Sequence, residues 1–187
     1  MTAAGITPLQ VTVSRLRAAV TDEDHTQGPM DAPATVVVYG DFQCPHCAAA
    51  YPNLRELRRQ RPGTVRLVFR HFPLANVHPY AEIAAETAEA AGVRGQFWAM
   101  HDWLFTHQDQ LDPVHLALGT QHVGLPVEEV AAEVNDHVHL DRIRRDFVSG
   151  VRSGVDGTPS IFVNGMRHEG TYALSDLLTA VDGAAHH

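Results

Sequence analysis

The chain carries two thiols, and they stand three positions apart in Cys44-Pro45-His46-Cys47. A pair at that spacing supports two kinds of chemistry. One is disulfide exchange, in which one thiolate attacks and the other resolves. The other is half of a metal or iron–sulfur site completed by a second subunit. The flanking residues favour the first. A β-branched run ends just before the motif, and Pro45 suits the first position of a helix. Cys44 then meets the unpaired N–H groups and the positive end of that helix, which favour a thiolate. Cys47 lies one turn further in, where it can close a short disulfide with Cys44. Two buried cysteines serving only as small hydrophobes fit this spacing and location poorly.

The elements that must hold the motif follow from the hydrophobic pattern. Thr35-Val36-Val37-Val38-Tyr39 is a continuous β-branched and aromatic run, the pattern of a strand covered on both faces, and it stops at Gly40-Asp41. Pro45 opens a helix to about Gln60, with Tyr51, Leu54 and Leu57 on one face. Pro62-Gly63 ends it, and Val65 to Phe72 reads as a second strand. From Pro79 to Val151 the period is helical, in four or five segments broken at Gly92, Gly95, Asp112-Pro113, Gly124-Leu125-Pro126 and Asn135-Asp136. Ile161-Phe162-Val163 and Met166-Arg167-His168 flank Asn164-Gly165, a strong hairpin signal. A last helix covers Leu174 to Val181. Leu9 to Val13 alternates like a short edge strand, and Asp22 to Pro33 reads as a loop. A strand, helix, strand order implies a right-handed parallel unit, to which the hairpin adds antiparallel strands. The expected organisation is a strand/loop arm over 1–33, an α/β core over 34–75 and 154–187, and a helical insertion over 76–153.

Composition narrows the function classes. The chain has 187 residues, 44% hydrophobic and 19% charged, which excludes a disordered chain and a coiled coil. Its net charge of −8 argues against nucleic acid or an anionic membrane as partner. All 14 basic residues are arginine, so lysine Schiff-base and P-loop lysine chemistry are impossible. No apolar run reaches membrane-spanning length. Met1 to Val20 holds Arg15 and Arg17 but no signal-like apolar stretch, so a chain starting natively at Met1 is expected in the cytoplasm. The thirteen histidines, among them His71, His78, His101, His137 and His139, are scattered without a ligand motif, and no metal site is expected. His186 and His187 close the chain and are set aside. Phe97, Trp98, Trp103 and Phe105 read as packing between helices.

Several of these features together resemble the DsbA-like branch of the thioredoxin superfamily. Val36 to Cys47 is similar to that family's strand-to-motif junction. Pro52 falls where the family kinks its first helix, and the helical block from Pro79 to Val151 where it carries an insertion. Gly157-Thr158-Pro159-Ser160 matches the loop that holds a cis-proline beside the active site. Asp24-His25-Thr26-Gln27-Gly28-Pro29 is similar to bacterial single-domain members and to thioredoxin-like domains fused to sodium/proton antiporters. The resemblance implies a thioredoxin-like fold, a mixed sheet with an inserted helical subdomain, and a thiol–disulfide oxidoreductase. Cys44 and Cys47 would form the redox-active disulfide, with Pro45, His46 and Asp41 tuning it. The Thr158-Pro159 backbone would dock extended protein or peptide substrates that carry thiols or disulfides. A redox partner is implied, and no cofactor. The Pro45-His46 dipeptide between the cysteines points to an oxidising centre, with the His46 imidazole beside the Cys44 sulfur. One position departs from the family. Many members place a buried acid six residues before the first cysteine, and this chain has Val38 there. Two other readings use the same frame: a binding or metal-holding module without turnover, and a glutathione-dependent transferase or isomerase. The second sulfur counts against the latter.

Overall fold

A computed structural model of the chain describes residues 15–186. The expected strand at Leu9 to Val13 lies outside the described residues. Five strands form one mixed sheet in the order β1-β3-β2-β4-β5. They are β1 (His25–Gln27), β2 (Ala34–Gly40), β3 (Val65–His71), β4 (Ser160–Val163) and β5 (Met166–Arg167). Helix α1 (Pro45–Gln60) connects the parallel pair β2 and β3. Five helices follow: α2 (Ala81–Gly92), α3 (Phe97–Thr106), α4 (Pro113–His122), α5 (Val127–Asn135) and α6 (Leu140–Arg152). The hairpin β4–β5 and α7 (Leu174–Ala184) complete the chain.

Strand β2 is apolar throughout because both its faces are covered. Val36 and Val38 pack with Leu54 and Leu57 of α1 and Leu177 and Val181 of α7. Val37 and Tyr39 point the other way, onto Phe72, Val155 and Phe162, with Phe147 of α6 against them. Burying a side chain such as Leu57 contributes about 1.5–3 kcal/mol. Asn164 and Gly165 take φ of 46° and 80°, the left-handed conformation that a two-residue hairpin turn requires. The Asn164 side chain also accepts from the Thr35 N–H at 2.8 Å, which ties the turn to the start of β2.

Residues 25–27 are a strand, not loop. Thr26 pairs with Val68, so β1 forms the antiparallel edge of the sheet beside β3. Three residues between turn-forming neighbours carry no local strand signal, and the partner strand supplies it. Asp24 fixes this arm: Arg70 donates to its carboxylate through Nε at 2.8 Å and Nη2 at 2.9 Å, with both side chains almost fully buried. Burial alone would raise the Asp24 pKa, but the hydrogen bonds from Arg70 and from the Thr21 backbone outweigh it and hold it low.

The helical layer joins the sheet through Glu89 of α2. One of its carboxylate oxygens accepts from His25 Nε2 and His71 Nε2, each at 2.7 Å. The buried alanines 81, 84, 85, 88, 90 and 91 line α2. Small side chains let it approach its neighbours closely. Among the described residues, no helix is long and apolar enough to cross a membrane.

Candidate active site

The motif sits where β2 turns into α1. Cys44 is the N-cap of α1, in extended conformation (φ −74°, ψ 122°), and Pro45 takes the first helical turn. No side chain caps this end, so the free N–H groups of the first turn face the motif. The carbonyls of Phe42 and Cys44 accept from Gln108 Nε2, at 2.9 and 2.7 Å. Gln108 follows α3 in the helical insertion and clamps the turn that presents Cys44. Nothing local in the sequence marks it.

The two sulfurs are close to each other and unlike. Both cysteines are reduced and 3% exposed. The Cys44 thiol donates to the Thr158 carbonyl at 3.3 Å, and the Thr158–Pro159 peptide is cis. The Cys44 pKa is lowered to about 5. A hydrogen bond from the Cys47 thiol is the largest single cause, against the opposing effect of burial. The Thr158 side chain and the backbone N–H groups of Cys47 and His46 add to it. The Thr158 hydroxyl is buried without another partner among the described residues, so it is free to donate to a thiolate. Cys47 moves the opposite way. Burial pushes its pKa well up, and the hydrogen bond and charge of Cys44 push it further. The Asp41 N–H, 3.5 Å from Cys47 Sγ, works weakly against that rise. One sulfur is therefore a ready nucleophile and the other a protected thiol.

The structure gives two of the tuning residues different geometry from that expected. The His46 imidazole turns to the Tyr172 hydroxyl, 3.2 Å from Nδ1, and only its backbone N–H serves Cys44. Tyr172 is held in place because its own carbonyl accepts from Asn53 of α1 at 3.0 Å. The Asp41 carboxylate is engaged elsewhere. It accepts from the Gln43 N–H (2.8 Å), the Leu74 N–H (2.8 Å) and His78 Nδ1 (2.7 Å). A buried acid with three donors is a brace for the loop after β3, and its influence on Cys47 runs through the backbone. Val38 is 4% exposed and packs on the hydrophobic side of the sheet covered by α1 and α7.

An open groove of about 450 Å³ begins at Pro159 and runs along β4 and the segment after β5, past Arg167, His168, Glu169 and Tyr172. It gives an extended ligand room from Pro159 onward, next in the chain to the Thr158 carbonyl that Cys44 contacts. Elsewhere the fold gathers histidines that the sequence scatters. The ligating atoms of His25, His71 and Glu89 lie within 4.8 Å of one another, as do those of Glu82, Glu86 and His137. In the first group each imidazole is already hydrogen-bonded to Glu89, the geometry of a structural anchor.

A family model described as thioredoxin matches residues 20–183. The chain belongs to the thioredoxin family. It is 46% identical over 163 residues to a protein named Na(+)/H(+) antiporter NhaA 1 from Salinispora arenicola, covering 87% of this chain and 25% of that protein. The namesake from Mycolicibacterium vanbaalenii is 36% identical over 177 residues, covering 94% and 29%. The chain thus spans between a quarter and a third of these relatives' length. Among solved structures, BdbD from Bacillus subtilis superposes with a TM-score of 0.80 at 19% identity, over 87% of this chain and 92% of that one. A thioredoxin-like oxidoreductase from Silicibacter pomeroyi gives 0.80 at 26% identity, covering 89% and 95%. Wolbachia pipientis alpha-DsbA1 gives 0.78 at 19%, covering 89% and 93%. The fold is the DsbA-like form of the thioredoxin family, and the Silicibacter pomeroyi neighbour is described as an oxidoreductase.

Proposed function

We propose that Cys44 and Cys47 form a redox-active pair that oxidises thiols of protein or peptide substrates. The observation that carries this reading is the opposed tuning of two adjacent sulfurs, Cys44 down to about 5 and Cys47 well up. In the oxidised protein a substrate thiolate attacks Cys44 Sγ, and Cys47 leaves as a thiolate that is then protonated. A second substrate thiol, or one from the same chain, breaks the mixed disulfide. The substrate disulfide departs, and Cys44 is left as a stabilised thiolate. In the reverse direction Cys44 attacks a disulfide and Cys47 resolves the adduct.

Oxidising character follows from where the stabilisation lies. Every donor aimed at Cys44 favours an ion that exists only in the reduced state, so the disulfide is readily given away. Cys47, the Thr158 hydroxyl and the backbone of the first helical turn supply it, with the His46 ring occupied at Tyr172. The groove that starts at Pro159 is the docking surface for an extended substrate. A redox partner must restore the disulfide after each turnover. Equilibration with glutathione tests the reading. The expected potential lies above about −200 mV, on the side of protein disulfide isomerase (about −180 mV) and DsbA (about −120 mV). A potential near or below thioredoxin's, about −270 mV, contradicts oxidising character.

A further inference from the structure

Moving the proton of Cys47 is the step for which this chain lacks the obvious group, because Val38 stands where a buried acid would serve. A small cavity of about 30 Å³ lies against Cys47; its lining is mostly apolar, and Tyr51, Arg58, His101 and Asp102 bring polar groups to it. That volume holds one water, and a buried water needs two to four polar partners. Two are conspicuous. Arg58 Nε is buried without a hydrogen-bond partner among the described residues, and the buried Tyr51 hydroxyl has only the Asp102 and Arg55 side chains near it, neither in a well-aligned hydrogen bond. The third is an imidazole. His101 of α3 is 6% exposed, with its ring fixed edge-on by Phe69 and Phe105, each 4.9 Å away, and by Trp98 at 4.8 Å. Its Nδ1 lies 3.0 Å from Asp102 Oδ1, so the N–H tautomer there is set by the carboxylate and Nε2 is left as the basic nitrogen.

We propose that His101, backed by Asp102, relays the proton of the resolving cysteine through one water in the cavity against Cys47. The proposal rests on the thiol–disulfide exchange reading above. Starting from a substrate disulfide-linked to Cys44, the Cys47 S–H gives its proton to the water, which passes one to His101 Nε2. The Cys47 thiolate attacks Cys44 Sγ. The Cys44–Cys47 bond forms, the Cys44–substrate bond breaks, and the substrate leaves as a thiolate with the electron pair. The imidazolium, paired with Asp102, returns its proton through the water to the departing thiolate or to solvent. No outside oxidant is needed, since the mixed disulfide is reduced at the substrate sulfur and oxidised at Cys47.

The surroundings suit a neutral relay that charges only briefly. Burial lowers the His101 pKa, Asp102 works against that, and the nearby His71 and His25 lower it further. From α1, Tyr51 and Arg58 line the same cavity, and Arg55 stacks over the Tyr51 ring at 5.5 Å. Tyr51 itself is pushed up to about 12 by burial and by Asp102, so it stays a neutral donor. In the mixed disulfide the charge of Cys44 is gone. Two of the three causes that raise Cys47 vanish with it, and burial alone remains to be overcome.

The test follows single-turnover release of glutathione from a preformed Cys44–glutathione disulfide, by rapid acid quench and mass spectrometry across pH. His101→Phe keeps an aromatic ring in the cluster and removes the base. Resolution should slow on the order of 100-fold at neutral pH, with a rate that then climbs with hydroxide instead of levelling off. Formation of the adduct should be unchanged. Adding Val38→Glu to His101→Phe should restore most of the lost rate. Asp102→Asn, at a position with a 46% exposed side chain, perturbs the core least and should slow resolution in the same direction. Wild-type resolution and pH profile in His101→Phe, or in Asp102→Asn should His101→Phe not fold, would overturn the relay alone. Failure of wild-type protein to form any adduct on Cys44 would overturn the relay and the exchange reading together.

Discussion

Replacing Cys47 with alanine should move the ionisation of Cys44, a residue left untouched. The Cys47 thiol is the strongest influence holding Cys44 down to about 5. A hydrogen bond to a charged group contributes about 1.5–3 kcal/mol, which is about one to two pKa units. The Cys44 midpoint in Cys47→Ala should therefore rise to about 6–7, still below the free-thiol value of about 8.5, because Thr158 and the helix N–H groups remain. At pH 6 a thiol with a midpoint of about 5 is about 90% ionised, whereas one near 7 is about 10% ionised. Thiolate absorbance at 240 nm, titrated on reduced protein, reads this directly. Wild type should show one transition near about 5 and no second below the ordinary thiol range, since Cys47 is pushed well up. An unshifted midpoint in Cys47→Ala would refute the reasoning and assign the stabilisation to the helix end alone.

The same ionisation links to stability. Cys44 has a folded pKa below its unfolded one, so its contribution to the reduced protein is full above the unfolded value and is lost as pH falls through about 5. The melting-temperature difference between reduced wild type and Cys44→Ser should accordingly widen from pH 5 to pH 8, and a constant difference would count against it. Asp24→Ala leaves the Arg70 guanidinium without its buried carboxylate, and urea unfolding should show a loss of about 3–5 kcal/mol. A loss below about 1 kcal/mol, the scale of a surface pair, would mean that the arm is not anchored there. His46→Leu should shift the Cys44 midpoint less than Cys47→Ala does, because the imidazole faces Tyr172. A larger shift would return the imidazole to the sulfur.

What could be read from the sequence was local. The all-apolar run of β2, the Pro45 helix start, the breaks between helices and the Asn164-Gly165 turn each act over a few residues. The structure places β2, α1, the five helices of the insertion and the β4–β5 hairpin within a residue or two of those signals. The placing of Cys44 and Cys47 at the start of α1 was legible for the same reason. The missed features depend on distant partners. Strand β1 exists because β3 lies beside it, 42 residues away at the pair Thr26 and Val68. Gln108 reaches the motif from the end of α3, and His25 and His71 meet at Glu89 from three different elements. The direction of a side chain was equally hidden. Asp41 precedes the motif and His46 lies within it, yet their side chains are engaged by His78 and Tyr172.

Trapping the reaction intermediate tests the central claim most directly. Cys47→Ala protein mixed with a disulfide-bearing peptide, quenched in acid and mapped by mass spectrometry, should carry the peptide on Cys44 through a stable mixed disulfide. Cys44→Ser protein treated alike should carry none, since desolvation still holds the remaining Cys47 thiol protonated. An adduct on Cys47 in the Cys44→Ser protein, with none on Cys44 in its counterpart, would contradict the assignment of the two sulfurs.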